Sequence, residues 1–122
     1  MAFSLRRAAM LSVSAALLAT VGMNGTAHAG TTGSVSISVP GCIGHLNLSS
    51  NWAYGHLDSY TNTCWLTIFD RNDQTGGETS QTISYGAGGS GNTAQFYHDS
   101  VVHAVAMAIS NGSQNNDTAW YH

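Results

Sequence analysis

The sequence predicts an all-β domain, a small antiparallel β-sandwich or barrel closed by one disulfide. Short runs of alternating apolar and polar residues recur along residues 30–122, separated by turns rich in glycine, asparagine and aspartate. The chain has two cysteines, Cys42 and Cys64, and its N-terminus carries an export signal. Export places cysteines where disulfides persist.

The export signal spans residues 1–29. Arg6 and Arg7 give a positive start, residues 8–23 are uncharged and largely apolar, and Ala27-His28-Ala29 offers small residues where signal peptidase reads them. Gly30 is then the first mature residue. A membrane anchor is the competing reading, but Ser12, Ser14, Thr20 and Gly22 dilute a stretch already short for a bilayer span. Arg6-Arg7 lacks the neighbours of a twin-arginine signal, which leaves general secretion. Residues 30–122 suffice for a single secreted β-domain.

Val35, Ile37 and Val39 alternate with Ser34, Ser36 and Ser38, the period of a strand with one apolar face, and Pro40-Gly41 ends it. A less regular strand follows over residues 43–48. Trp52-Ala53-Tyr54-Gly55-His56 puts Trp52, Tyr54 and His56 on one face. Residues 64–69 form a short apolar run of β-formers, and residues 70–77 have turn composition. Residues 78–85 alternate with Thr79, Gln81, Ile83 and Tyr85 on one side. Residues 86–92 hold four glycines and are expected to be a mobile loop, with a strand at 93–97. Residues 101–109 are apolar on both faces and predict a central strand covered on each side. A polar run, 111–117, precedes Trp120-Tyr121-His122.

Signal cleavage removes two of the three basic residues, leaving Arg71, no lysine and all six acids. Nucleic-acid binding draws on many Lys/Arg–phosphate contacts, and anionic membranes attract basic segments. Neither partner fits the mature chain. One Cys42–Cys64 bridge would close a loop of about 23 residues, worth roughly 3 kcal/mol in the chain-entropy treatment.

Catalytic signatures are absent. No Gly-x-Ser-x-Gly elbow occurs, and His45, His56, His98, His103 and His122 show no short metal-ligand spacing. His103 is expected to be a packed core histidine. His98 and Asp99 are strand neighbours that would point to opposite faces. Asp70, Asn72, Asp73 and Glu78 miss the spacing of a calcium loop. No cofactor, metal or enzymatic activity is expected. The most informative group is aromatic: Trp52, Tyr54 and Tyr60 lie between the cysteines, and Trp65 follows them. Rigidly held aromatics give large contact area at low entropy cost. Trp65 is expected to fill the core, whereas Trp52 suits either the core or a recognition surface. The candidate binding residues are Trp52, Ala53, Tyr54 and Tyr60.

Cys42, Trp52-Ala53-Tyr54, Asn62-Thr63-Cys64 and the β-rich, Gly-rich sequence after them resemble the actinobacterial proteinaceous α-amylase inhibitors. Those are secreted six-stranded β-sandwiches whose first disulfide encloses a hairpin bearing Trp-Arg-Tyr. The resemblance implies an inhibitor-like sandwich with a recognition hairpin at Trp52–Tyr60. Ala53 stands at the position of that family's arginine, the second disulfide is missing, and the spacing between the cysteines and Trp-x-Tyr is longer. Trp-x-Tyr-Gly and a following Ser-Tyr pair are also similar to lactococcin-972-type bacteriocins.

The expected function is a secreted, non-catalytic module that binds a protein, such as an inhibitor of a secreted hydrolase. Two alternatives stand beside it. One is an accessory subunit of a secreted, antibacterial assembly docking through residues 31–39 as an added strand. The other is a small secreted hydrolase.

Overall fold

The computed structural model describes residues 29–122; all but the last residue of the signal segment lies outside the described residues. Among the described residues, nine strands form two antiparallel sheets that face each other without closing into a barrel. The first sheet orders β1 (Gly33–Val39), β2 (Cys42–Leu48), β3 (Trp52–Ser59) and β6 (Ser90–Asn92), with β7 (Phe96–Tyr97) also paired to β3. The second orders β5 (Glu78–Tyr85), β4 (Cys64–Asn72), β8 (His103–Ser110) and β9 (Asn115–Asp117). Among the described residues there is no helix, and so none long and apolar enough to cross a membrane.

The period-two sequence at the N-terminus becomes β1, which pairs with β2 from Gly33↔Leu48 to Val39↔Cys42. Val39 is buried, and Val35 and Ile37 pack against the core. Residues 33–39 therefore belong to the domain's own sheet. Pro40 and Gly41 form the two-residue turn between β1 and β2, with Gly41 at φ 81°. Proline's fixed φ followed by a left-handed residue is the sequence a type II turn requires.

The core lies between the sheets. Leu46 and Leu57 come from one side, and Leu66, Ile68, Val105, Met107 and Ile109 from the other. Leu66 sits over two glycines. A Cβ at Gly44 or Gly55 would lie 2.8 or 2.7 Å from its methyl groups, so the missing side chains let the sheets close on this leucine. β8 has the two-sided burial its sequence predicts. Its outer face, Ala104, Ala106 and Ala108, joins Phe69 and Trp120 in a second apolar cluster. The strand starts at His103 and not at Val101 because Asp99 Oδ1 accepts the N–H groups of Val101, Val102 and His103, turning the chain first. Burial alone would raise the Asp99 pKa, but those backbone donors and the Tyr97 hydroxyl outweigh it and hold the pKa below the ordinary aspartate value.

Several local expectations change. Residues 70–72, expected in the turn over 70–77, continue β4. The glycine-rich segment 86–92 contains β6, and residues 93–95 lie outside any strand. Gly91 takes a strand position because Tyr85 crosses it so closely that a Cβ would strike the phenol oxygen. Trp65 is only partly buried: strand parity sends Leu66 and Ile68 inward and Trp65 outward, and the fully buried tryptophan is Trp120. The fully buried histidine is His98, whereas His103 is partly exposed beside Asp70, its Nδ1 3.5 Å from the carboxylate.

Cys42 and Cys64 form the disulfide, with Cα atoms 5.9 Å apart. It joins the first residue of β2 to the first of β4, crossing from sheet to sheet within the core. Replacing both cysteines with serine is expected to lower folding stability by about 2–4 kcal/mol, measured by urea unfolding beside the parent. A change below about 1 kcal/mol would show that sheet packing alone holds the two β-layers together.

Candidate functional site

Strand alternation gives the first sheet a solvent face of unusual composition. Along β3, Ala53, Gly55 and Leu57 turn inward, so Trp52, Tyr54, His56 and Asp58 line the outside. The register places them in rows across neighbouring strands. Ser34, Asn47 and Tyr54 form one row, and Ser36, His45, His56 and Asn92 the next. Trp52 stands opposite Tyr97 of β7.

Trp52 is 50% exposed yet firmly held. Tyr97 meets it edge-to-face with ring centroids 5.7 Å apart, a favoured aromatic arrangement. Its carbonyl accepts hydrogen bonds from the Ser49 backbone N–H and hydroxyl, both at 2.8 Å. Beside it opens a groove of about 340 Å³ lined by Gly33, Asn47, Ser49, Tyr54 and Gln95, with Leu48. The lining offers two aromatic surfaces, two amides and a hydroxyl, and no charged side chain. Such a surface can bind an uncharged apolar or hydrogen-bonding segment.

The structure brings together two of the four candidate binding residues. Trp52 and Tyr54 share the groove. Ala53 is 0% exposed, its methyl group in the core, so position 53 presents nothing to a partner. Tyr60 is 56% exposed but follows the opposite end of β3, roughly 25 Å along the strand from Trp52. Sequence reading missed Asn47, Gln95 and Tyr97. Asn47 was legible in principle, since it alternates with Leu46 and Leu48. Gln95 and Tyr97 reach the site through long-range pairing that no local pattern records.

The histidine row holds two hydrogen-bonded groups, Ser36–His45 and Asn92–His56–Asp58, with a longer contact between them. Ser36 Oγ lies 2.8 Å from His45 Nδ1, and His45 Nε2 is 3.8 Å from Asp58 Oδ2. His56 Nδ1 donates to Asn92 Oδ1 at 2.5 Å, and its Nε2 is 3.1 Å from Asp58 Oδ1. Ser36, His45 and Asp58 therefore occur in the contact order of a hydrolytic triad. Ser36, however, sits within a strand on an exposed sheet face, without the sharp turn that lifts a nucleophile beneath an oxyanion site. The geometry suits a surface network.

Asn92 first, and Asp58 with it, raise the His56 pKa above the ordinary histidine value against the opposing effect of burial. A raised folded-state value means that protonated His56 favours the fold. That contribution is complete below the ordinary histidine value and disappears as pH rises through the raised one. Proton NMR titration should give His56 a higher pKa in the parent than in Asn92→Ala. Equal values in the two proteins would exclude Asn92 as the cause.

On the second sheet, Asp70, Asn72, Gly77, Glu78, Thr79 and His103 border a shallow depression of about 350 Å³. Burial pushes the Asp70 carboxyl above its ordinary value, and His103 opposes the shift. Asp73 receives Arg71 Nε and, at 2.6 Å, His122 Nε2. Asn72 Oδ1 accepts the Gln74 and Thr75 N–H groups. Asp70, Asn72 and Asp73 thus already bond to the hairpin turn, to His103 of β8 and to His122. Among the described residues, no three His, Cys, Asp or Glu side chains are placed to share a metal ion.

Fold and site together define a disulfide-bridged, two-sheet β-domain with an aromatic groove on the outer face of one sheet. No protein-family model, curated protein or solved structure matches the chain.

Proposed function

We propose that this protein is a secreted, non-catalytic binding module that recognises another protein through the Trp52–Tyr54 groove. The observation that carries the reading is Trp52, a half-exposed indole braced by Tyr97 at the rim of an uncharged groove. Interface energy concentrates in pre-positioned aromatic residues of this kind. Asn47, Ser49 and Gln95 supply neutral hydrogen-bonding groups that fix a bound segment's orientation without demanding a charged partner. A surface loop of a secreted hydrolase fits these requirements, and the module then acts as its inhibitor.

The charge distribution supports a protein rather than a polyanion. Arg71, the only Lys or Arg in residues 30–122, is mostly buried, with its guanidinium 4.4 Å from the Trp120 ring centre. The surface therefore offers no basic patch for phosphate. Affinity capture from the producer's culture fluid tests the reading. The parent should retain a discrete protein that Trp52→Ala does not, while both proteins show the same unfolding midpoint. Equal retention by parent and variant would remove the groove from the account.

A further inference from the structure

We infer that the cut after Ala29 does more than release the leader: it creates an α-ammonium on Gly30 that docks in a niche formed by Ser50, His98 and His122 and locks the mature fold. The inference rests on the reading that the chain is exported and cut between Ala29 and Gly30.

The niche is shaped for glycine. Gly30 N–H donates to the Ser50 carbonyl at 2.6 Å, and Thr31 N–H donates to the His122 main-chain oxygen at 2.5 Å. A Cβ on Gly30 would lie 2.6 Å from both the His122 oxygen and His98 Nδ1. Backbone and a fully buried ring line this space, so neither can withdraw cheaply.

His98 supplies the second observation. It is 0% exposed, and its Nε2 lies 2.6 Å from the Ser49 carbonyl oxygen. A carbonyl only accepts, so Nε2 carries a proton, and in the neutral ring Nδ1 is then the acceptor. That buried nitrogen has no hydrogen-bond partner. Buried acceptors are normally satisfied, and one left without a partner at the wall of the Gly30 niche, 2.6 Å from where a Cβ would lie, calls for an explanation.

Cleavage provides the missing donor. In the uncut chain the Gly30 nitrogen is an amide whose single proton already goes to Ser50. Hydrolysis by signal peptidase breaks the Ala29–Gly30 amide with one water, leaving a carboxylate on Ala29 and an ammonium on Gly30. The ammonium has three protons. One keeps the Ser50 bond, and a second becomes available to His98 Nδ1 at the wall of the niche. The same contact reaches the recognition site, because residues 49–51 form the turn that carries Ser49 and Trp52. His98 N–H donates to the Asn51 carbonyl at 3.0 Å, binding that turn from the other side.

The mature chain contains no lysine, so an amine-acylating reagent has the Gly30 nitrogen as its only amine target. Protein from the culture fluid is first sequenced from its N-terminus, then acylated at neutral pH in the folded state and in denaturant. The docked amine should react about tenfold or more slowly in the folded protein, since reaction requires local opening. The acylated product should refold with a melting temperature lower by about 4 °C or more. The His98 Nδ1 resonance should also move away from its hydrogen-bonded position on acylation. A mature chain beginning anywhere but Gly30 overturns the proposal through its premise. Equal acylation rates, or identical melting of free and acylated protein with an unmoved Nδ1 resonance, overturn it through the docking itself.

Discussion

Ala53→Arg is expected to cost on the order of 4 kcal/mol of folding stability, or to prevent folding altogether. Ala53 is fully buried, paired with Leu48 of β2 on one side and Phe96 of β7 on the other. Arginine there must overfill the space between the sheets and bring a guanidinium into an apolar core. Total stabilities of about 5–15 kcal/mol leave little margin for such a change. Urea unfolding and circular dichroism of the purified variant measure it. The same substitution restores Trp-Arg-Tyr, the sequence of the inhibitors this chain resembles, so it also probes that resemblance. A folded Ala53→Arg protein that inhibits α-amylase would contradict the inward placement of position 53.

Trp120→Ala should be nearly as damaging, lowering stability by about 3–5 kcal/mol. Trp120 covers the outer side of β8 and meets Phe69 with ring centroids 6.5 Å apart. Its removal would expose the alanine face of β8 and leave the Arg71 guanidinium without the ring it lies over. Trp65→Ala provides the contrast, because Trp65 is only partly buried on the outside of β4. Denaturant melts of the two variants should separate clearly. Comparable losses would mean that the second apolar cluster contributes little beyond ordinary surface contacts.

These two positions show where local sequence is informative. Parity within a strand was legible: the alternation at 35–39 gave β1 its inward face, and the spacing of Trp52, Tyr54 and His56 put the three on one face of β3, though not which way that face turns. The doubly apolar run ending at Ile109 correctly announced a strand covered on both sides. Its cover was not legible, because Trp120 lies beyond a polar segment and its docking depends on how the chain returns beside β8. Their place between the cysteines, with the resemblance to Trp-Arg-Tyr hairpins, grouped Trp52, Ala53, Tyr54 and Tyr60 by proximity in sequence. An extended strand instead sends Ala53 to the opposite face and carries Tyr60 to the far end. The groove itself needed tertiary information, since Gln95 and Tyr97 arrive from a segment about forty residues later, at a strand spacing of about 4.8 Å.

The loop around Gly91 fails as a local inference for a related reason. Glycine was read as freedom of the backbone, whereas this position uses the absence of a side chain. Tyr85 occupies the space a Cβ would fill, which allows β6 to lie along β3. Only the position of a partner side chain distinguishes these uses of glycine.

The exposed aromatics offer an internal comparison for the recognition site, because Trp52 and Tyr60 are similarly exposed at opposite ends of one strand. The decisive measurement is a calorimetric titration of the protein captured from culture fluid against the parent, Trp52→Ala and Tyr60→Ala. Trp52→Ala should weaken binding by about 2 kcal/mol, roughly 30-fold, as loss of a central interface tryptophan does. Tyr60→Ala should bind like the parent. Parent-like affinity in Trp52→Ala, or a larger loss in Tyr60→Ala, would contradict recognition through the groove.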